Sequence, residues 1–186
     1  MAVAPYKLPR RQNVPGNVYV DESCIDCDVC RWMCPSVFDR KGIKSAVTKQ
    51  PDGNDEKMLT FAAMVACPVG SIRTRSNDPL MKQAAGIFPA EVQIRTQLRL
   101  YIYFFFINLR NVAMQIDPVR IPGVMHLGYH SSSSFGATPY FIRRPGGNIM
   151  IDTPRYNSNL ARNIEEEGGL RYIILTHKHN VVDHEK

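Results

Sequence analysis

Three cysteines at i, i+3 and i+6 (Cys24, Cys27 and Cys30 in SCIDCDVCRWMCP) put three thiols on one tight loop. Thiolates so spaced can wrap three corners of a cubane iron-sulfur cluster, and the fourth corner then needs a sulfur from elsewhere. Cys67, in ACPVGSIR, is the only other cysteine placed to supply it. A zinc ribbon would pair its cysteines two and two, and a disulfide scaffold would use an even number in a secreted chain. This chain has five. Cys34 is the odd one out: it reads as a small buried apolar residue, with replacement of Cys67 at a damaged cluster as the alternative.

The pattern C-x2-C-x2-C followed remotely by C-P resembles ferredoxins that carry one 4Fe-4S cluster. In two-cluster ferredoxins the run continues C-x3-C-P and its fourth cysteine serves the other cluster, but no second run exists here. The resemblance covers residues 17–76 and implies the β-α-β-β-α-β order of that family. Residue patterns place compatible elements there. Asn17 to Val20 reads as a short strand, Cys30 to Pro35 as a turn or two of helix, and Ser45 to Thr48 as a second strand. PDGN at 51–54 is turn chemistry, after which Asp55 can cap a helix from Glu56 to Ala66. Leu59, Ala62, Ala63 and Ala66 share one face of that helix, and small alanines would let it lie close to the cluster. Pro68 ends it, and Ser71 to Thr74 returns as a strand.

Charge excludes little but orders the alternatives. The formal net charge of +6 is spread as +3 over residues 1–85, +2 over 86–120 and +1 over 121–186, so a mixed solvated surface is expected rather than a nucleic-acid stripe. Asp21, Glu22, Asp26 and Asp28 crowd the cysteine loop. Either they lower the cluster potential and offer a docking face to a basic redox partner, or they form a solvated loop whose charges are screened within about 10 Å. Trp32 is expected to shield the cluster from water. The N-terminus has Lys7, Arg10 and Arg11 but no apolar core of a secretory signal, and thiolate ligands suit a reducing, intracellular compartment.

All five histidines lie at or after His126, beyond the last cysteine, which implies a second chemistry. Between the two lies TQLRLYIYFFFINLRNVAMQ, with ten uncharged residues from Leu100 to Leu109. A membrane span needs about 20 such residues, so no transmembrane segment is expected. The run is a buried strand, a partner or membrane-surface patch, or a segment foreign to the fold. From Ile121, strands and glycine turns take over: Gly136 to Ile142, a PGGN turn and NIMID ending at Asp152. A helix capped by Ser158 runs to Glu167, and RYIILTH follows as a strand, so the last two strands should be parallel across a right-handed crossover.

IMIDTPRY, a helix and IILTHKHNVVDHEK resemble the N-terminal half of the metallo-β-lactamase fold, whose members carry a T-H-x-H-x-D-H loop after the same unit. The resemblance implies zinc or iron held by His177, His179, Asp183 and His184, with a metal-activated water. Three residues separate His179 from Asp183 where the family has one, and its remaining ligands would lie beyond Lys186. No catalytic residue is assigned, and His126 and His130 read as structural or surface histidines. The order of modules resembles a ferredoxin and metallo-hydrolase fusion family of plants and cyanobacteria, which implies a plastid or cytoplasmic location.

The expected fold is therefore α+β: an N-terminal tail (1–16), a ferredoxin-like domain (17–76), a linker with an apolar insert (77–120) and a partial metallo-β-lactamase-like domain (121–186). Two functions follow. One is a 4Fe-4S electron-transfer protein with an inactive hydrolase-like appendage. The other is a metal-dependent hydrolase or oxidoreductase whose cluster feeds or senses the second metal.

Overall fold

The computed structural model describes residues 7–89 and 123–183. The apolar Leu100–Leu109 run and His184 lie outside the described residues. The first module follows the order β1 (Val18–Val20), α1 (Val29–Met33), β2 (Phe38–Lys41), β3 (Lys44–Val47), α2 (Gly53–Ala66) and β4 (Ile72–Thr74), as the ferredoxin resemblance implies. Its strands form two antiparallel ladders, β1 with β4 and β2 with β3. The hairpin strand β2, required by that order, has no strand pattern of its own in the sequence, because FDRK is polar and only Phe38 of it is buried.

Side-chain amides join the two ladders. Asn13 Oδ1 accepts from Val20 N at 3.1 Å and Val47 N at 3.0 Å, while its Nδ2 donates to Val20 O at 2.8 Å. Gln50 exchanges a pair of 2.9 Å bonds with the amide and carbonyl of Val18. Each carboxamide offers an NH2 donor group and a carbonyl acceptor, so it satisfies backbone groups that a neighbouring strand would otherwise pair. Pro9 bridges to Asp21, so residues 7–16 pack on the module rather than trailing from it.

Helix α2 begins at Gly53, three residues earlier than its acidic run suggested, because Glu56 reaches back to accept from Asp52 N at 2.7 Å. Its Ala62, Ala63 and Ala66 are fully buried, as their spacing predicts, and α1 packs against it. A short helix α3 (Leu80–Ala85) also lies on α2.

The second module is a four-stranded sheet in the order β5 (Val124–His126), β6 (Tyr140–Ile142), β7 (Ile149–Ile151) and β8 (Tyr172–Ile174). The expected parallel crossover is present: β7 and β8 run parallel, joined through α4 (Ser158–Glu166). Asn157, not Ser158, caps α4, its side chain accepting from Asn159 N at 3.0 Å and Leu160 N at 3.2 Å. All three residues of β8 are exposed.

Phe88 joins the modules. It is fully buried, stacks edge-on against His126 and Tyr129 with ring centroids 5.7 Å away from each, and lies so close to Gly128 that a Cβ there would meet its ring at 2.6 Å. Around it Asn163 Nδ2 donates to Phe88 O at 2.6 Å and the Tyr129 hydroxyl to Ala85 O at 2.7 Å. Phe88→Ala should cost about 3–5 kcal/mol in a urea titration, the range for emptying a buried phenylalanine site. Circular dichroism and the Trp32 fluorescence should report one shifted transition, whereas an unchanged midpoint would mean that the modules fold without this contact.

Candidate functional site

The cysteine loop is shaped by two aspartates in left-handed backbone conformation, Asp26 at φ 59° and Asp28 at φ 72°. Aspartate tolerates this region better than most residues, because its short polar side chain bonds locally. The two reversals let the chain curl between successive cysteines and deliver Cys30 onto the first turn of α1. Cys67 caps the far end of α2, where its amide still donates to Ala63 O at 3.0 Å and Pro68 stops the helix. Cys24, Cys27, Cys30 and Cys67 thereby line one cavity, whose remaining wall is mostly aliphatic and includes Val20, Val29, Val69 and Ile72.

Cys24, Cys30 and Cys67 are buried and Cys27 is half-buried, and all five cysteines are free thiols. Burial pushes the Cys27 thiol up to about 11 and the Cys30 thiol to about 12, so without a metal both are protonated at neutral pH. Donors nevertheless point at sulfur. Ser71 N lies 3.3 Å from Cys67 Sγ and Asp26 N 3.5 Å from Cys24 Sγ, and the hydroxyls of Ser71 and Ser45 bond Cys67 and Cys30. Such donors favour the thiolate once a metal replaces the proton. No three His, Cys, Asp or Glu side chains among the described residues close on a single ion. Four thiols lining one cavity supply the number and type of ligands that one 4Fe-4S cluster requires.

Cys34 is fully buried but faces away, its sulfur 3.7 Å from both Thr60 Oγ1 and Ser36 Oγ and 3.9 Å from Glu56 O. Trp32 does not line the cysteine cavity; its ring meets His126 edge-on at 4.9 Å. The acidic docking face is also corrected, since each of its four carboxylates has an arginine. Asp21 pairs with Arg73 at 2.5 Å, Glu22 with Arg10 at 3.7 Å, Asp28 with Arg31 at 2.5 Å, and Asp26 with both Arg31 at 2.6 Å and Arg40 at 2.5 Å. Arg10, Arg40 and Arg73 come from sequence-distant elements and Arg31 from the helix that directly follows the loop, so counting acids along the loop missed the balance. Arg31 additionally donates to Ser45 Oγ at 2.5 Å, so a cation sits one hydroxyl away from Cys30.

Residues 20–74 match the family model of the 4Fe-4S single cluster domain of Ferredoxin I. This stretch is a 4Fe-4S-binding domain. No curated protein and no solved structure gives a significant match to the chain. Nothing in these comparisons supports the metallo-β-lactamase resemblance of the C-terminal half.

The C-terminal residues expected to hold zinc or iron do not assemble a ligand group among the described residues. The His177 and His179 rings are 4.9 Å apart and exposed, with His177 Nδ1 accepting from His179 N, while Asp183 accepts from Tyr156 N at 2.8 Å. Asp152 is spent on Thr176, accepting from its amide and hydroxyl, both at 2.8 Å. No helix among the described residues is long and apolar enough to cross a membrane.

His126 and His130 hold the larger surprise. Both are fully buried, their Nε2 atoms 2.6 Å apart. His130 Nδ1 lies 3.0 Å from the Gly136 carbonyl, which only accepts, so this nitrogen carries the proton. His130 Nε2 is then the acceptor and His126 Nε2 the donor, which leaves the lone pair of His126 Nδ1 without a partner. Burial pushes His130 down to about 4 and His126 well below its usual value. Unfolded imidazoles titrate near 6.5, so below that pH the unfolded chain binds protons that the folded one refuses. Stability should be intact above about pH 6.5 and fall toward pH 4, by up to about 1.4 kcal/mol per pH unit for each imidazole. His126→Gln, which keeps a donor toward His130, should flatten this dependence in urea titrations; an equal slope in both proteins would contradict it.

Proposed function

We propose that this chain is a one-electron carrier in which Cys24, Cys27, Cys30 and Cys67 hold a single 4Fe-4S cluster. The shared cavity lined by these four cysteines, within the stretch matched to the single-cluster family, carries the proposal. When bound, such a cluster supplies a one-electron couple whose potential responds to burial, hydrogen bonds to sulfur and nearby charge.

The chain's own residues act on that couple in three ways. Aliphatic walls keep the four sulfurs dry and so disfavour added negative charge. Ser71, Asp26 and Ser45 donate to cysteine sulfur and act in the opposite sense. Arg31, held by Asp26 and Asp28, fixes a guanidinium beside Cys30, and Arg40 on Asp26 balances the remaining negative charge. Docking of a redox partner is then expected at Ile25, which lines the cysteine cavity yet is 46% exposed, through apolar contact more than charge steering. Thiolate ligands, which a reducing environment preserves, support an intracellular location.

Anaerobic reconstitution tests the assignment. The chain should take up iron and sulfide in equal amounts and be reduced reversibly by one electron in a spectroelectrochemical titration. A colourless chain that holds zinc through its cysteines would overturn it.

A further inference from the structure

We propose that the second module is a partial cover of the iron-sulfur site: its Ser131–Gly136 loop seats on Cys27 and Pro68 and limits the access of water to Cys27. The inference rests on the electron-carrier reading above and concerns residues outside the matched stretch 20–74.

Gly136, at φ +81°, lies so close that a Cβ on it would stand 3.1 Å from Cys27 Cβ, 3.2 Å from Pro68 Cγ and 3.8 Å from Cys27 Sγ. A side chain at 136 would therefore crowd Cys27 and Pro68 and push the loop or its neighbours apart by a few tenths of an ångström, and the positive φ also favours glycine. The loop is a compact turn in its own right. Gly136 N donates to Ser131 O at 2.9 Å and Ala137 N to Ser134 O at 3.0 Å, with Ser131 and Ser134 buried. Its tip residue, Phe135, is 78% exposed and faces away.

Two anchors hold the turn down. His130 bonds the Gly136 carbonyl at 3.0 Å and is itself braced by His126, whose ring meets Trp32, two residues after Cys30. Arg155 donates to His130 O at 2.9 Å and to Val65 O of α2 at 2.7 Å, spanning the two modules two residues before Cys67. Beside this contact an open cleft walled by Ser132 and Arg155 still reaches Cys67 and Pro68, so the cover acts at Cys27. A buried histidine pair with an unpaired nitrogen is costly to maintain, and fixing the cover over the cysteine site gives that cost a function.

The cover is tested on the reconstituted full chain, wild type beside Gly136→Ala, with Phe135→Ala as a control. Each is exposed to air and to an iron chelator while the visible absorbance is followed, and its midpoint potential is measured. At equal starting iron and sulfide, Gly136→Ala should lose colour at least severalfold faster. Its potential should shift upward, because water stabilises the more negative reduced state. Phe135→Ala should match wild type. Equal rates and potentials in all three would overturn the inference while leaving the electron-carrier reading intact. Failure of wild type to take up any cluster would instead sink that reading. Should Gly136→Ala not fold, amide exchange in the wild type decides: slow exchange at Gly136 and Ala137 supports a seated loop, and fast exchange overturns it.

Discussion

Four sulfurs held in an aliphatic pocket can carry charge only if a metal takes the place of their protons. Burial drives Cys27 and Cys30 far above the ordinary thiol range, so the pocket is a poor site for free thiolates and a good one for metal-bound ones. Everything near the pocket answers this demand. The left-handed aspartates bend the loop so that three sulfurs face inward, Pro68 halts α2 where the fourth is needed, and amide and hydroxyl donors are aimed at sulfur before any metal arrives. On the proposed reading, metal binding at this pocket is coupled to release of the thiol protons.

Charge balance is the second consequence of that demand. A loop bearing Asp21, Glu22, Asp26 and Asp28 would, unpaired, oppose each added electron. The arginines contributed by β4, α1, β2 and the N-terminal segment neutralise it in place. Most of these pairs are partly exposed, where an isolated ion pair is worth little to stability. Their effect falls on the local potential, and Asp26, shared between Arg31 and Arg40, is the residue that ties the loop to the β2–β3 hairpin.

The cluster-binding half was legible because its signals are local: cysteine spacing, the Cys67–Pro68 helix stop and the small face of α2 each depend on neighbours in sequence. So was the β7-α4-β8 crossover, where β-branched runs flank a capped helix. The polar hairpin strand β2 was not legible in its own residues because only Phe38 betrays it, and the Asn13 and Gln50 amides were missed because they act across 30 or more residues. The burial of the His126–His130 pair, read from sequence as structural or surface histidines, was not foreseen for a related reason. A histidine in VMHLGYH gives no sign of burial, since that depends on Trp32 and Phe88 arriving from the other module. The C-terminal histidines erred in the opposite direction, with a motif in sequence and exposed side chains in space.

The identity of the fourth sulfur decides the account. Cys67 and Cys34 are both buried, yet Cys67 lines the cavity and Cys34 turns toward Thr60 on α2. Iron and acid-labile sulfide should therefore be measured on Cys67→Ala and Cys34→Ala, each purified anaerobically. Cys34→Ala is expected to retain the full complement of iron and sulfide, and Cys67→Ala to lose at least one iron or fail to hold the cluster. Full retention in Cys67→Ala together with loss in Cys34→Ala would contradict the account.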